Sequence, residues 1–177
     1  MSDKPTLEAL QQEAVAFRAG WEGVMLATTA PDGTPDASYA PCVLDDDGRC
    51  HVLISQLAQH TQNLLKHPFA SLMWIEERDA ARNPFARRRL VLRCGALHIG
   101  RDTDDWNSII ARMEERLGNT VPLLAGLGDF MLFRFDALWA VLRDSTRESV
   151  MILFIIGAAG VFSYMLSSLF VTQAIAE

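Results

Sequence analysis

The chain has 177 residues, half of them hydrophobic, and a formal net charge of −6. That length suits one domain with a proper core and one appendage, and the acidic balance argues against a general nucleic-acid binder. Three cysteines, Cys42, Cys50 and Cys94, form an odd set without C-x-x-C spacing, which favours buried thiols in a reducing compartment over disulfides or zinc.

The first ten residues, MSDKPTLEAL, hold no apolar signal-peptide core, so no export signal is expected there. From Pro5 to Ala19, Leu7, Leu10, Ala14 and Phe17 recur at helical spacing, and Gly20 is a stop. GVMLATT then reads as a strand, PDGTP as a turn, and DASYAPCVL as a second strand. A turn at Asp45–Gly48 leads into a third strand, CHVLIS. A short helix from Ala58 to Lys66 ends at His67-Pro68, because the residue before proline is pushed out of helical geometry. FASLMWI is a fourth strand, and EERDAARNPFA a polar loop with some helical character.

RRRLVLRCGALHI is the fifth and longest strand. Its alternation puts Leu90, Leu92, Cys94 and Ala96 on a core face and Arg87, Arg89, Val91 and Arg93 on the other. After Asp102, Trp106, Ile109, Ile110, Met113 and Leu117 mark a long helix closed by Gly118. DFMLFRF, from Asp129 to Phe135, is the sixth strand. Six short antiparallel strands with flanking helices make a mainly β fold with α elements, closed as a small barrel.

That order, with LATTAPDGTPDASYAP, HVLISQLAQHTQNLLKHPFASLMWIEE, FARRRLVLRCGA and DFMLFRF, resembles the flavin-binding split barrel of the pyridoxamine 5′-phosphate oxidase superfamily. The match is nearest to its haem-utilisation and haem-degrading branch and covers roughly Gly20 to Phe135. The resemblance implies a homodimer with ligand sites in clefts between two barrels. In flavin-binding members, basic side chains after the third strand hold the FMN phosphate; here Gln59 and His60 stand at the corresponding positions, and Leu90 replaces a glutamine. A phosphate dianion wants fixed cations, so haem is the first cofactor reading and FMN the alternative.

On the haem reading, Arg87, Arg89 and Arg93 face propionates and Ser55 lies at the cofactor site. His60 approaches the cleft or ligates the iron, and Asp129 matches an acidic residue of the ligand network and is the catalytic candidate. The axial histidine that the branch supplies from its C-terminal part is absent, since no histidine follows His98. Each assignment has a plainer counterpart: a solvated strand end for the arginines, a surface helix residue for His60, a strand end for Asp129. His51 and His98 fit structural roles on strands better than ligation, and Trp74, Trp106, Phe130 and Phe133 fit the core better than cofactor stacking.

After about residue 136 the pattern changes. ALWAVLRDSTRESV and the apolar run behind it resemble, more weakly, a fragment of the large membrane subunit of a TRAP-type dicarboxylate transporter. The run from Val150 to Val171 holds no charge and, as a helix of roughly 33 Å, reaches across a bilayer. Arg143 and Arg147 precede it, which puts the 1–136 domain in the cytoplasm, anchored to the membrane by a 137–177 segment. The reading from a different class is therefore a non-catalytic, membrane-tethered, truncated domain, whose missing C-terminal strand leaves open sheet edges.

Overall fold

A computed structural model describes residues 6–80 and 83–138. Six strands are present: β1 (Gly23–Thr29), β2 (Pro35–Leu44), β3 (Cys50–Ser55), β4 (Phe69–Ile75), β5 (Arg89–Ile99) and β6 (Phe130–Ala137). They close into a barrel in the order β1-β2-β3-β6-β5-β4, every neighbouring pair antiparallel. The open edges expected of a truncated barrel are thus corrected: β1 pairs with β4 as well as β2, and the six strands satisfy one another. The membrane-span reading of 150–171 falls outside the described residues, and within those residues no helix is long and apolar enough to cross a membrane.

Alternation assigns the faces. Val24, Leu26, Ala40, Cys42, Cys50, Val52, Leu72, Trp74, Cys94, Phe133 and Phe135 fill the interior. All three cysteines are buried and unbridged. Burial pushes the Cys94 thiol up to about 12, so it packs as a small apolar group. Helix α1 (Leu7–Ala19) is capped by Thr6, whose hydroxyl accepts from the Ala9 amide. It lays Arg18 across one barrel mouth, 5.7 Å over the Trp74 ring and bonded to the Gly48 carbonyl at 3.0 Å.

Helix α2 (Gln59–Lys66) packs against β1 and β2. It begins one residue later than expected and ends, as expected, with His67 as C-cap. Helix α3 (Asp104–Leu117) buries Trp106, Ile109 and Met113 on the outer wall, against Val43, Ile99 and Leu132. The sequence pattern gives no sign of α4 (Thr120–Gly126), which adds Val121 and Ala125 to that second core. Seven residues carry too little periodicity to register, and Pro122 is tolerated because it sits in the first turn.

Candidate functional site

The two ends of the barrel differ. At the end where β1 finishes and β2 begins, the interior position after Val24 and Leu26 is a threonine. Thr28 is 3% exposed, and α2 brings the fully buried Asn63 over it. Gln59 Nε2 donates to Asn63 Oδ1 (2.9 Å), Asn63 Nδ2 donates to Thr28 Oγ1 (3.0 Å), and Thr28 Oγ1 donates to Asp36 Oδ2 (3.4 Å). Thr61 adds a 2.6 Å bond to the Ser55 carbonyl. The helix is thus fixed by satisfied polar groups, as burial requires.

His60 lies on this helix. Its Nε2 is enclosed and has no hydrogen-bond partner among the described residues. Burial lowers its pKa, partly offset by Asp36, so the ring is held neutral, the form a metal takes. Gln59 is tied up by Asn63.

A second feature forms where β3 ends and β6 begins. Ser55 Oγ donates to Asp129 Oδ2 at 2.7 Å, the Gln56 amide donates to the Asp129 carbonyl at 2.6 Å, and the Leu57 amide donates to Ser55 Oγ at 3.1 Å. The structure therefore joins two of the sequence candidates in direct contact. Asp129 is half-buried; Leu127, two residues before it, and Leu57, two residues after Ser55, are exposed. An oriented carboxylate with an apolar rim can accept a proton or a hydrogen bond from a bound group while a flat apolar ligand covers it.

The arginines lie elsewhere. Arg87 is committed to the backbone: its Nε (2.6 Å) and Nη2 donate to the Glu76 carbonyl. Arg89 and Arg93 are exposed on the outer wall, and among the described residues neither enters an ion pair. Arg89 pairs with Ile75 at the far end of the barrel, and Arg93 with Ser71 in the middle. Within one chain they are thus separated from Ser55 and Asp129.

The other histidines divide. His51 is 2% exposed, with Nδ1 3.2 Å from the Arg49 carbonyl, a structural role as expected. His98 is exposed, its ring tilted against Phe133 at 5.6 Å. Trp74, Trp106 and Phe133 are core residues, as expected.

Sequence reasoning missed the chain from buried Asn63 and Thr28 to half-buried Asp36. Its one signal is a polar residue at the third inward position of an otherwise apolar strand. It also missed Arg101, which stands alone between β5 and α3 without a motif.

The pyridoxamine 5′-phosphate oxidase family model matches residues 10–143. The chain belongs to the pyridoxamine 5′-phosphate oxidase family. Within that family it is 42% identical over 127 residues to heme oxygenase HutZ of Vibrio cholerae, covering 72% of each chain. The crystal structure of HutZ, described as the heme storage protein from Vibrio cholerae, superposes with a TM-score of 0.67 at 41% identity, covering 72% of this chain and 89% of that one. Campylobacter jejuni ChuZ superposes with a TM-score of 0.68, over 76% of this chain and 55% of that one; at 23% identity this likeness speaks to the fold alone. The family and its HutZ-containing branch are those that the strand order and motifs suggest.

Proposed function

We propose that this barrel binds haem and serves haem iron utilisation, with oxygen-dependent haem breakdown as the reaction its site is built for. The observation that carries the reading is the 42% identity to HutZ, which runs through most of the barrel. The donor set supports it. Asp129 presents a carboxylate oriented by Ser55. His60 holds an enclosed nitrogen with no partner among the described residues, a cost relieved when the ring turns toward a ligand.

The residues that would hold haem are His60 toward the iron, Arg89 and Arg93 toward propionates, and Asp129 and Ser55 toward the polar side of the pocket. Arg87 would act from behind, through its grip on the Glu76 carbonyl. The redox chemistry, dioxygen binding included, is what haem supplies when bound. Asp129 would accept a hydrogen bond from the bound group at Oδ1, since Oδ2 is occupied by Ser55.

The separation of Arg89 and Arg93 from Asp129 within one chain favours a site shared by two copies. The register aligns Tyr39, Met25, Met73 and Val91 in one outward row across β2, β1, β4 and β5. Tyr39 is 61% and Val91 52% exposed. A second copy seated on this wall buries the row and carries its arginines toward the first copy's site. FMN is the alternative reading, at family level, and lacks the fixed cations that its phosphate requires at Gln59 and His60.

The test is an absorbance titration of the purified full chain with haemin, in parallel with FMN. A saturable Soret shift at one haemin per chain, altered in His60→Ala and Asp129→Asn, supports the proposal. Saturable FMN binding without haemin binding moves the function to flavin chemistry.

A further inference from the structure

The segment carrying Asp129 is held by a residue that the sequence reading did not single out. Arg101 follows β5 and precedes α3. From Nη1 it donates to the Ala125 carbonyl and from Nη2 to the Leu127 carbonyl, and Nη2 also donates to the Phe130 carbonyl at 2.6 Å. The guanidinium sits 4.9 Å over the ring of Trp106, which is 6% exposed in the second core. Three carbonyls that bracket Asp129, two before it and one after, thus converge on one planar cation braced against a buried aromatic.

This arrangement does two things. It satisfies carbonyls at the C-terminal end of α4 that the helix leaves without partners, and it places positive charge where a helix terminus favours it. It also fixes the path of residues 125–130, so that the Asp129 carbonyl meets the Gln56 amide and the Asp129 carboxylate meets Ser55. Only arginine has a planar fork able to bridge several acceptors at once; lysine offers a single point charge.

We propose that Arg101 is the positioning residue of the Asp129 carboxylate, acting through the three carbonyls it grips. The inference rests on the reading of Asp129 as part of the haem site, and it has a consequence that needs no ligand.

The test uses the full chain as wild type, R101A, R101K, D129N and R101A/D129N. R112A is the control, because Arg112 also clamps backbone and carboxylate (Leu44 carbonyl 2.9 Å, Asp46 Oδ1 2.7 Å) but away from the site. In the unliganded protein, R101A is expected to raise amide exchange at Gln56 by about tenfold, the value of one hydrogen bond. R101K is expected to give an intermediate rise and R112A none. With haemin, R101A is expected to shift the absorption spectrum in the same sense as D129N, and to add no shift in the D129N background.

Unchanged Gln56 exchange in R101A overturns the proposal, as does a rise spread evenly over all amides. Should R101A fail to fold, R101K decides, since unchanged exchange there is equally fatal. If D129N leaves the haemin spectrum unaltered, it is the haem role of Asp129 that falls, and the exchange comparison still judges Arg101.

Discussion

Ser55 and Asp129, 74 positions apart, are joined by a 2.7 Å hydrogen bond from Oγ to Oδ2. The bond ties the last residue of β3 to the residue before β6. It also leaves one carboxylate oxygen unused by Ser55. Ser55→Ala is expected to cost about 1 kcal/mol of stability, the ordinary net value of such a bond. Measured by urea unfolding alongside Asp129→Asn and the double variant, the two costs should sum to more than the double variant shows. Strict additivity would mean that the pair does not act as a unit in solution.

His51 sets a pH dependence of stability. The ring is buried beneath α3, in a small cavity lined by Asp45, Arg49, Asp105, Ser108, Ile109 and Arg134. Burial lowers its pKa from the free value of 6.5; Arg134 and Arg49 add to the lowering, while Asp45 and the Arg49 carbonyl oppose it. As pH falls through 6.5 the unfolded chain takes up a proton that the folded chain does not, so the folded state loses stability until the lowered native pKa is passed. His60 shifts in the same direction, again chiefly from burial, and adds to the slope. Urea midpoints should therefore drop as the pH is lowered from about 7 to about 5, and His51→Gln and His60→Gln should each flatten the curve.

Asn63 is the keystone of the seal over the Thr28 end. Its side chain accepts from Gln59 and donates to Thr28 with no exposed surface. Asn63→Ala removes both bonds and opens a small void, at a cost of about 2 kcal/mol. Asn63→Asp is expected to be at least as harmful, since the carboxylate cannot donate to Thr28 and would be buried near Asp36. Thermal unfolding of the two variants checks the order; a stable Asn63→Asp would show that Thr28 can reverse its bond.

The barrel was legible because its signals are local. Every strand has the alternation or apolar run that a half-buried or fully buried wall requires, and tight turns at Asp32-Gly33 and Asp47-Gly48 supply positive φ at glycine. The helix carrying Trp106, Ile109 and Met113 showed itself by spacing. The site was legible only where family motifs named residues. Ser55 and Asp129 meet because β3 and β6 pair, a contact that no spacing within either strand encodes. The closed barrel was read from the number and order of the strands, and the pairing of β1 with β4 that completes it removes the open edges of the truncated-domain reading. Arg101 left no trace because its partners are backbone carbonyls, which any sequence supplies.

The thiols give a negative prediction with a clear cause. Cys42, Cys50 and Cys94 are each at most 2% exposed. The Cys50 thiol is pushed well up, by its hydrogen bond with Cys42 and by burial. Reactivity needs an accessible thiolate. A colorimetric thiol reagent should therefore find no fast-reacting thiol in the native chain and three after denaturation. A fast native thiol would show that the Arg18 end of the barrel opens.

The outward wall of β2, β1, β4 and β5 decides whether the proposed site is shared. Gly23 lies under the Tyr39 ring so closely that a Cβ there would meet the phenol oxygen at 2.0 Å, which keeps the wall flat at that edge. Val91 stands between Arg89 and Arg93 on the same face. Val91→Lys adds a third cation to a surface that, in the proposed dimer, faces another copy. Because Val91 is exposed, the change should leave the fold intact, within about 0.5 kcal/mol. Sedimentation equilibrium should show a dimer for the wild-type chain and a monomer for Val91→Lys. Leu123→Lys, an equally large change at a 73% exposed position on α4, should stay dimeric. Haemin titration of the monomeric variant then separates two arrangements. Lost binding means that the arginines and Asp129 come from different copies, whereas full binding by a monomer would place the whole site on one barrel and leave Arg89 and Arg93 without the role proposed for them.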